Sequence, residues 1–211
     1  MADWTKRELK KLRDDPNDYP WLSHRLSAGS VKTRGTAPAD VSFKSGYVLS
    51  FVTTAPNKFI YFGFSLPINW LEGSFVHMDI HWVIPTTGGG GGAENVKWDA
   101  TVSWANDGAV FPAATSYTTT VDVQDITQDT YLHGEITELD GAGKKALSTM
   151  ICSMSRDVAV ANDYAASAYL MEIDIHFQVF SSGAYFESGQ LTEEYRAKKG
   201  TPSKPFLPGA W

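Results

Sequence analysis

The chain has 211 residues, 43% of them hydrophobic and 13% aromatic, which is long and apolar enough for a full core and unlike a disordered chain. A formal net charge of −6 and a pI near 5.3 argue against nucleic-acid binding, because phosphate contacts need concentrated Lys and Arg. The single cysteine, Cys152, rules out an intramolecular disulfide and fits synthesis in a reducing cytoplasm.

Residues 4–15 carry the one convincing helical pattern. Thr5-Lys-Arg-Glu8 has capping-box spacing, Leu9 and Leu12 make a narrow apolar stripe, and Pro16 stops the helix. Lys6, Arg7, Lys10, Lys11 and Arg13 make this arm basic, suited to a solvated helix or to docking on an acidic neighbour. The amino end lacks the apolar core of a signal peptide, and no apolar run approaches the ~18 residues that span a bilayer. The sequence therefore predicts a soluble, unprocessed product.

Residues 15–22 are extended and rich in breakers, and 27–40 reads as a loop. From Val41 the pattern becomes strand after strand, at 41–53, 58–67, 74–84, 95–105, 117–124, 131–138, 146–156 and 168–180. About eight strands with almost no helix between them predict an all-β, antiparallel, jelly-roll-like β-sandwich. The predicted organisation is an arm over 1–40, the sandwich over 41–192, and an extended proline-rich tail over 193–211.

The five glycines at 88–92 precede an alternating strand rather than a helix, so they predict a hairpin loop, not a phosphate cradle. In 146–156, Met150, Cys152 and Met154 share a face, and Cys152 is expected to be a buried small hydrophobe. The tail cannot be regular past Gly200, with prolines at 202, 205 and 208, yet it carries Phe206, Leu207 and Trp211. Such residues need somewhere to bury, and a neighbouring subunit is the preferred place.

Two distant strands share one pattern. Val76, Met78, Ile80, Trp82 and Ile84 alternate with His77, Asp79 and His81; Ile173, Ile175, Phe177 and Val179 alternate with Glu172, Asp174 and His176. The polar faces could form a metal site, an acid–base site or a subunit interface. His77 and His81 are four apart on a strand, roughly 13 Å between Cα atoms, so they cannot ligate one ion together. The cupin arrangement, two histidines two residues apart followed by a glutamate, is absent. So is a Gly-x-Ser-x-Gly elbow. The pairs Glu135 and Glu138, and Asp122 and Asp125, carry only the spacing of a solvated surface. Paired His, Asp and Glu across a subunit boundary fit better.

The order of motifs is more informative than any one of them. Lys58-Phe-Ile-Tyr-Phe-Gly-Phe-Ser-Leu-Pro67 leads to Trp70-Leu-Glu-Gly73, then His77-Met-Asp-Ile-His-Trp82, Val96-Lys-Trp98 and Val102-Ser-Trp104. Much later come Ser155-Arg-Asp157, Asp163-Tyr-Ala165 and Leu170-Met-Glu-Ile-Asp-Ile-His176. Over residues 45–180 this order resembles the jelly-roll virion structural proteins of tailed bacteriophages. The resemblance implies a homotrimer on the virion surface, as a capsid decoration (cement) protein or a head or tail appendage.

The sequence thus leads to a non-enzymatic virion protein, made in the host cytoplasm, that clamps capsid subunits and takes no cofactor or metal. Its expected partners are its own copies in a homotrimer and the major capsid protein or other virion proteins, not nucleic acid or membrane. His77, Asp79, His81, Glu172, Asp174 and His176 are the expected subunit-interface residues. Trp4, Leu9, Leu12, Phe206, Leu207 and Trp211 are the expected capsid contacts. One alternative is a receptor- or carbohydrate-binding appendage using Trp21, Trp70 or Tyr164; a cupin-like metalloenzyme is more remote.

Overall fold

A computed structural model describes residues 19–34, 37–53, 58–89 and 94–180. The expected helix at 4–15, the tail at 193–211 and all six expected capsid-contact residues lie outside them. The described chain is an antiparallel β-sandwich, as the strand pattern predicts. One sheet holds β3 (Ala39–Phe43), β4 (Gly46–Phe51), β11 (Ala168–Gln178), β6 (Val76–Val83) and β9 (Tyr131–Leu139) in that order, with β1 (Trp21–Ser27) also paired to β11. The other runs β2 (Lys32–Thr33), β5 (Phe59–Ser65), β10 (Thr149–Asp157), β7 (Asn95–Ala105) and β8 (Thr115–Asp122). These are the first and second sheets.

Alternation explains the strands. In β7 every second residue from Val96 to Trp104 is buried, and in β5 Ile60, Phe62 and Phe64 point inward while their neighbours are exposed. The apolar faces of the twin strands enter the core as expected: Met78, Ile80, Trp82, Ile173 and Ile175 are fully buried. Trp98 of the second sheet meets Trp82 and Phe51 of the first at ring-centroid distances of 5.8 and 5.1 Å, in edge-to-face geometries that aromatic quadrupoles favour. Cys152 is buried between Met150 and Met154, and desolvation pushes its thiol pKa up to about 12, so it packs as a hydrophobe.

The structure corrects the expected strand list in three places. The run at 41–53 is the hairpin β3–β4, folded at Lys44–Ser45 with Lys44 at φ 52° and Val41 opposite Val48. The expected loop at 27–40 contains a 3₁₀ turn (Ala28–Ser30), β2 and the start of β3. Finally, β1 lies ahead of the expected sandwich start at 41 and pairs with β11 from Trp21↔Gln178 to Ser27↔Glu172.

Gly88 shows why the glycine run begins where it does. Its amide donates to the Ile126 carbonyl at 3.0 Å, and a Cβ there would lie 2.1 Å from the Val123 carbonyl oxygen. Close backbone approach requires that glycine, and strand β7 follows.

Candidate functional site

The twin strands are neighbours. β6 and β11 pair antiparallel with Glu172↔His81, Asp174↔Asp79 and His176↔His77, so all six expected residues share the outer face of the first sheet. The flanking strands extend each row. Ser23, His176, His77 and Glu138 form one; Arg25, Asp174, Asp79 and Glu135 the next; Ser27, Glu172, His81 and His133 the third. Four of the chain's five histidines lie here; His24 faces inward against Phe64, 5.0 Å between rings.

The middle row is the most buried. Asp174 is 1% exposed and Asp79 8%. Asp174 Oδ2 accepts from Ser23 Oγ at 3.2 Å and lies 3.2 Å from Arg25 Nε. Asp79 Oδ2 lies 3.0 Å from His176 Nε2 and 3.2 Å from His133 Nε2, bridging β11 and β9. His176 Nδ1 is 2.7 Å from Ser23 Oγ, and its Nε2 also lies 3.5 Å from Asp174 Oδ2. Asp174 Oδ1 and His81 Nε2 are buried without a hydrogen-bond partner.

His81 sits between two rings, stacked on Tyr131 (5.3 Å, 19°) and tilted against His133 (5.0 Å, 30°). The Tyr131 hydroxyl donates to Glu172 Oε1 at 3.2 Å and lies 2.7 Å from His81 Nδ1. A hydroxyl has one hydrogen, so His81 Nδ1–H is the donor to Tyr131 and the Nε2 lone pair is left bare. Burial first, and His133 second, hold the His81 pKa below its ordinary value, against the pull of Glu172, Asp174 and Asp79. Burial, followed by the Glu172 charge, pushes Tyr131 above its own.

At the first row's end, His77 Nδ1 is 3.3 Å from Glu135 and its Nε2 3.4 Å from Glu138. Residues three apart on a regular strand face opposite ways. The register shift opposite Met78 and Asp79 leaves Ile136 out of the pairing, and both glutamates then reach the outer face. Trp21 covers this corner, edge-on to His77 at 5.0 Å and 46% exposed.

The structure therefore brings the six expected residues together and adds Ser23, Arg25, Tyr131, His133, Glu135 and Glu138. Of these the sequence singled out only the pair Glu135 and Glu138, by a spacing that reads as solvated surface; Tyr131 and His133 share the Glu135 side of the strand expected at 131–138. Among the described residues, no group of three His, Cys, Asp or Glu side chains is arranged to hold a metal ion. Of the three aromatics considered for carbohydrate, Trp70 and Tyr164 are core residues, 0% and 2% exposed, and only Trp21 reaches solvent. Among the described residues, no helix is long and apolar enough to cross a membrane.

Fold and face together define an antiparallel β-sandwich with a titratable polar plaque on one outer sheet. Neither a family model nor a curated protein matches the sequence. Viral capsid and phage tailspike proteins are among the solved structures similar to it. An infectious bursal disease virus (Gx strain) structure shows 7% identity and a TM-score of 0.39, covering 77% of this chain and 33% of that one. The enzymatically active domain of bacteriophage CBA120 tailspike protein 4 shows 14% and 0.36, covering 75% and 19%. A xylan-binding domain of CBM 22 shows 10% and 0.35, covering 82% and 94%. This chain thus spans a third or less of the two viral chains, and at such scores none of the likenesses carries a functional argument.

Proposed function

We propose that this chain is a non-enzymatic structural protein of a tailed-phage virion, a trimeric capsid decoration (cement) protein that clamps neighbouring capsid subunits. The observation that carries the proposal is the form of the polar face. Its ionisable residues spread over four strands as cross-strand pairs, the arrangement expected where charged faces of neighbouring subunits meet. Trp21, Tyr131 and Arg25 stand on it, residue types enriched where proteins meet. The ordered motifs of residues 45–180, similar to those of phage virion proteins, supply the biological setting.

Clamping would work by burial. At ~25 cal/mol per Å², segments burying several hundred Å² contribute several kcal/mol before ordering costs. Such contacts are assigned to Trp4, Leu9, Leu12, Phe206, Leu207 and Trp211. The receptor- or carbohydrate-binding alternative retains only Trp21 of its three aromatics.

Two measurements test the proposal. Deleting residues 1–20 should reduce co-sedimentation with capsids, and undiminished binding would refute the anchoring role of the arm. Glu172→Gln keeps the side-chain shape but removes one of the expected interface charges, on a side chain that reaches solvent. It should raise the trimer dissociation constant by about tenfold or more, equivalent to ~1.4 kcal/mol. A variant trimer as tight as the parent, measured by light scattering across a dilution series, would count against this face as the interface.

A further inference from the structure

The outer face of the first sheet is electrostatically unbalanced. Asp79, Glu135, Glu138, Glu172 and Asp174 stand against a single guanidinium, that of Arg25, so five negative charges meet one positive and the face carries −4 with neutral histidines. Glu135 and Glu138 remain reachable, with side chains 54% and 47% exposed. The sequence holds a matching opposite. Over residues 5–13, Lys6, Arg7, Lys10, Lys11 and Arg13 are offset only by Glu8, giving +4.

The attachment point favours a neighbouring copy over the chain's own face. Residue 18 leads into Tyr19 and Pro20, whose carbonyl accepts from Val179 N at 3.0 Å, and then into Trp21 at the His77 corner. Asp14, Asp15 and Asp18 separate the basic run from that corner. Folding back would bring these three carboxylates towards Glu135 and Glu138, where like charges repel. Reaching outward to another subunit avoids this. A contact in which one patch meets a different patch closes into a ring where its rotation divides the circle, as a trimer requires.

We propose that residues 5–13 of one copy dock across the outer face of the first sheet of the next copy, their Lys and Arg side chains meeting Glu135, Glu138 and Glu172. The proposal rests on the homo-oligomeric reading above and names the contact that holds it together.

Carbodiimide coupling of the full-length chain tests it, because this reagent joins amines to carboxylates with no spacer. The expected result is covalent dimers and trimers on a denaturing gel, with peptides linking Lys6, Lys10 or Lys11 to Glu135, Glu138 or Glu172. Replacing Lys6, Arg7, Lys10, Lys11 and Arg13 by Gln should abolish those links. The same change should raise the oligomer dissociation constant at least about tenfold at low salt, with the sandwich's circular dichroism unchanged. An oligomer that persists without these links, or links confined to single chains, would overturn the proposal while leaving the assembly reading intact. A chain that is monomeric at every concentration would overturn both.

Discussion

His81 is where local surroundings and pH meet. Burial and the neighbouring His133 disfavour its charged form, so its folded pKa lies below its unfolded one. The folded state then binds fewer protons than the unfolded state between the two values. The associated stability is fully present above the unfolded value of about 6.5 and is lost as pH falls through the folded one. His81→Asn removes the titration while keeping a polar side chain. Melting temperatures from pH 7.5 down to 5 should fall less steeply for this variant than for the parent. Identical slopes would show that His81 protonates as easily folded as unfolded. The comparison uses the slope because loss of the Tyr131 contact shifts the absolute stability of the variant at every pH.

At the scale of elements, Arg156 explains two motifs that the sequence offered without a link between them. From β10 it donates to Asp163 Oδ1 at 2.8 Å, to the Tyr164 and Ala166 carbonyls, and across the sandwich to the Phe51 carbonyl at 3.4 Å. Ser155-Arg-Asp157 and Asp163-Tyr-Ala165 are thus the two halves of one clamp, which holds the β10–β11 connection and ties both sheets. Arg156 is 1% exposed, so Arg156→Met would leave Asp163 and several carbonyls without their donor. Losing one partner of a buried pair costs about 3–5 kcal/mol. Adding Asp163→Asn should recover part of that loss in urea unfolding; strictly additive losses would mean the two do not act as a pair. Period-two alternation made the twin strands and their inward faces legible in the sequence. Their adjacency was not, because pairing between distant segments leaves no local trace. β1 stayed hidden because Ser23, His24 and Arg25 lack the apolar alternation of a strand, its pattern being mostly exposed. The β3–β4 turn hid behind Lys44, a residue rarely found at positive φ. Glu135 and Glu138 looked like solvated surface because only the irregularity at Ile136 turns both towards His77.

For the molecule as a whole, the proposed assembly turns on charge balance. The chain is acidic, and the polar face concentrates that acidity while also carrying His77, His81, His133 and His176. Attraction between the proposed basic arm and this acidic face is electrostatic, so salt should weaken it, because the Debye length shrinks from about 10 Å at 0.1 M to about 3 Å at 1 M. Oligomer mass measured by light scattering at those two salt concentrations and constant pH is expected to show dissociation first at high salt. An oligomer that is unchanged or tightens as salt rises would mean that subunits meet through apolar burial, and that the charges of residues 5–13 do not hold them.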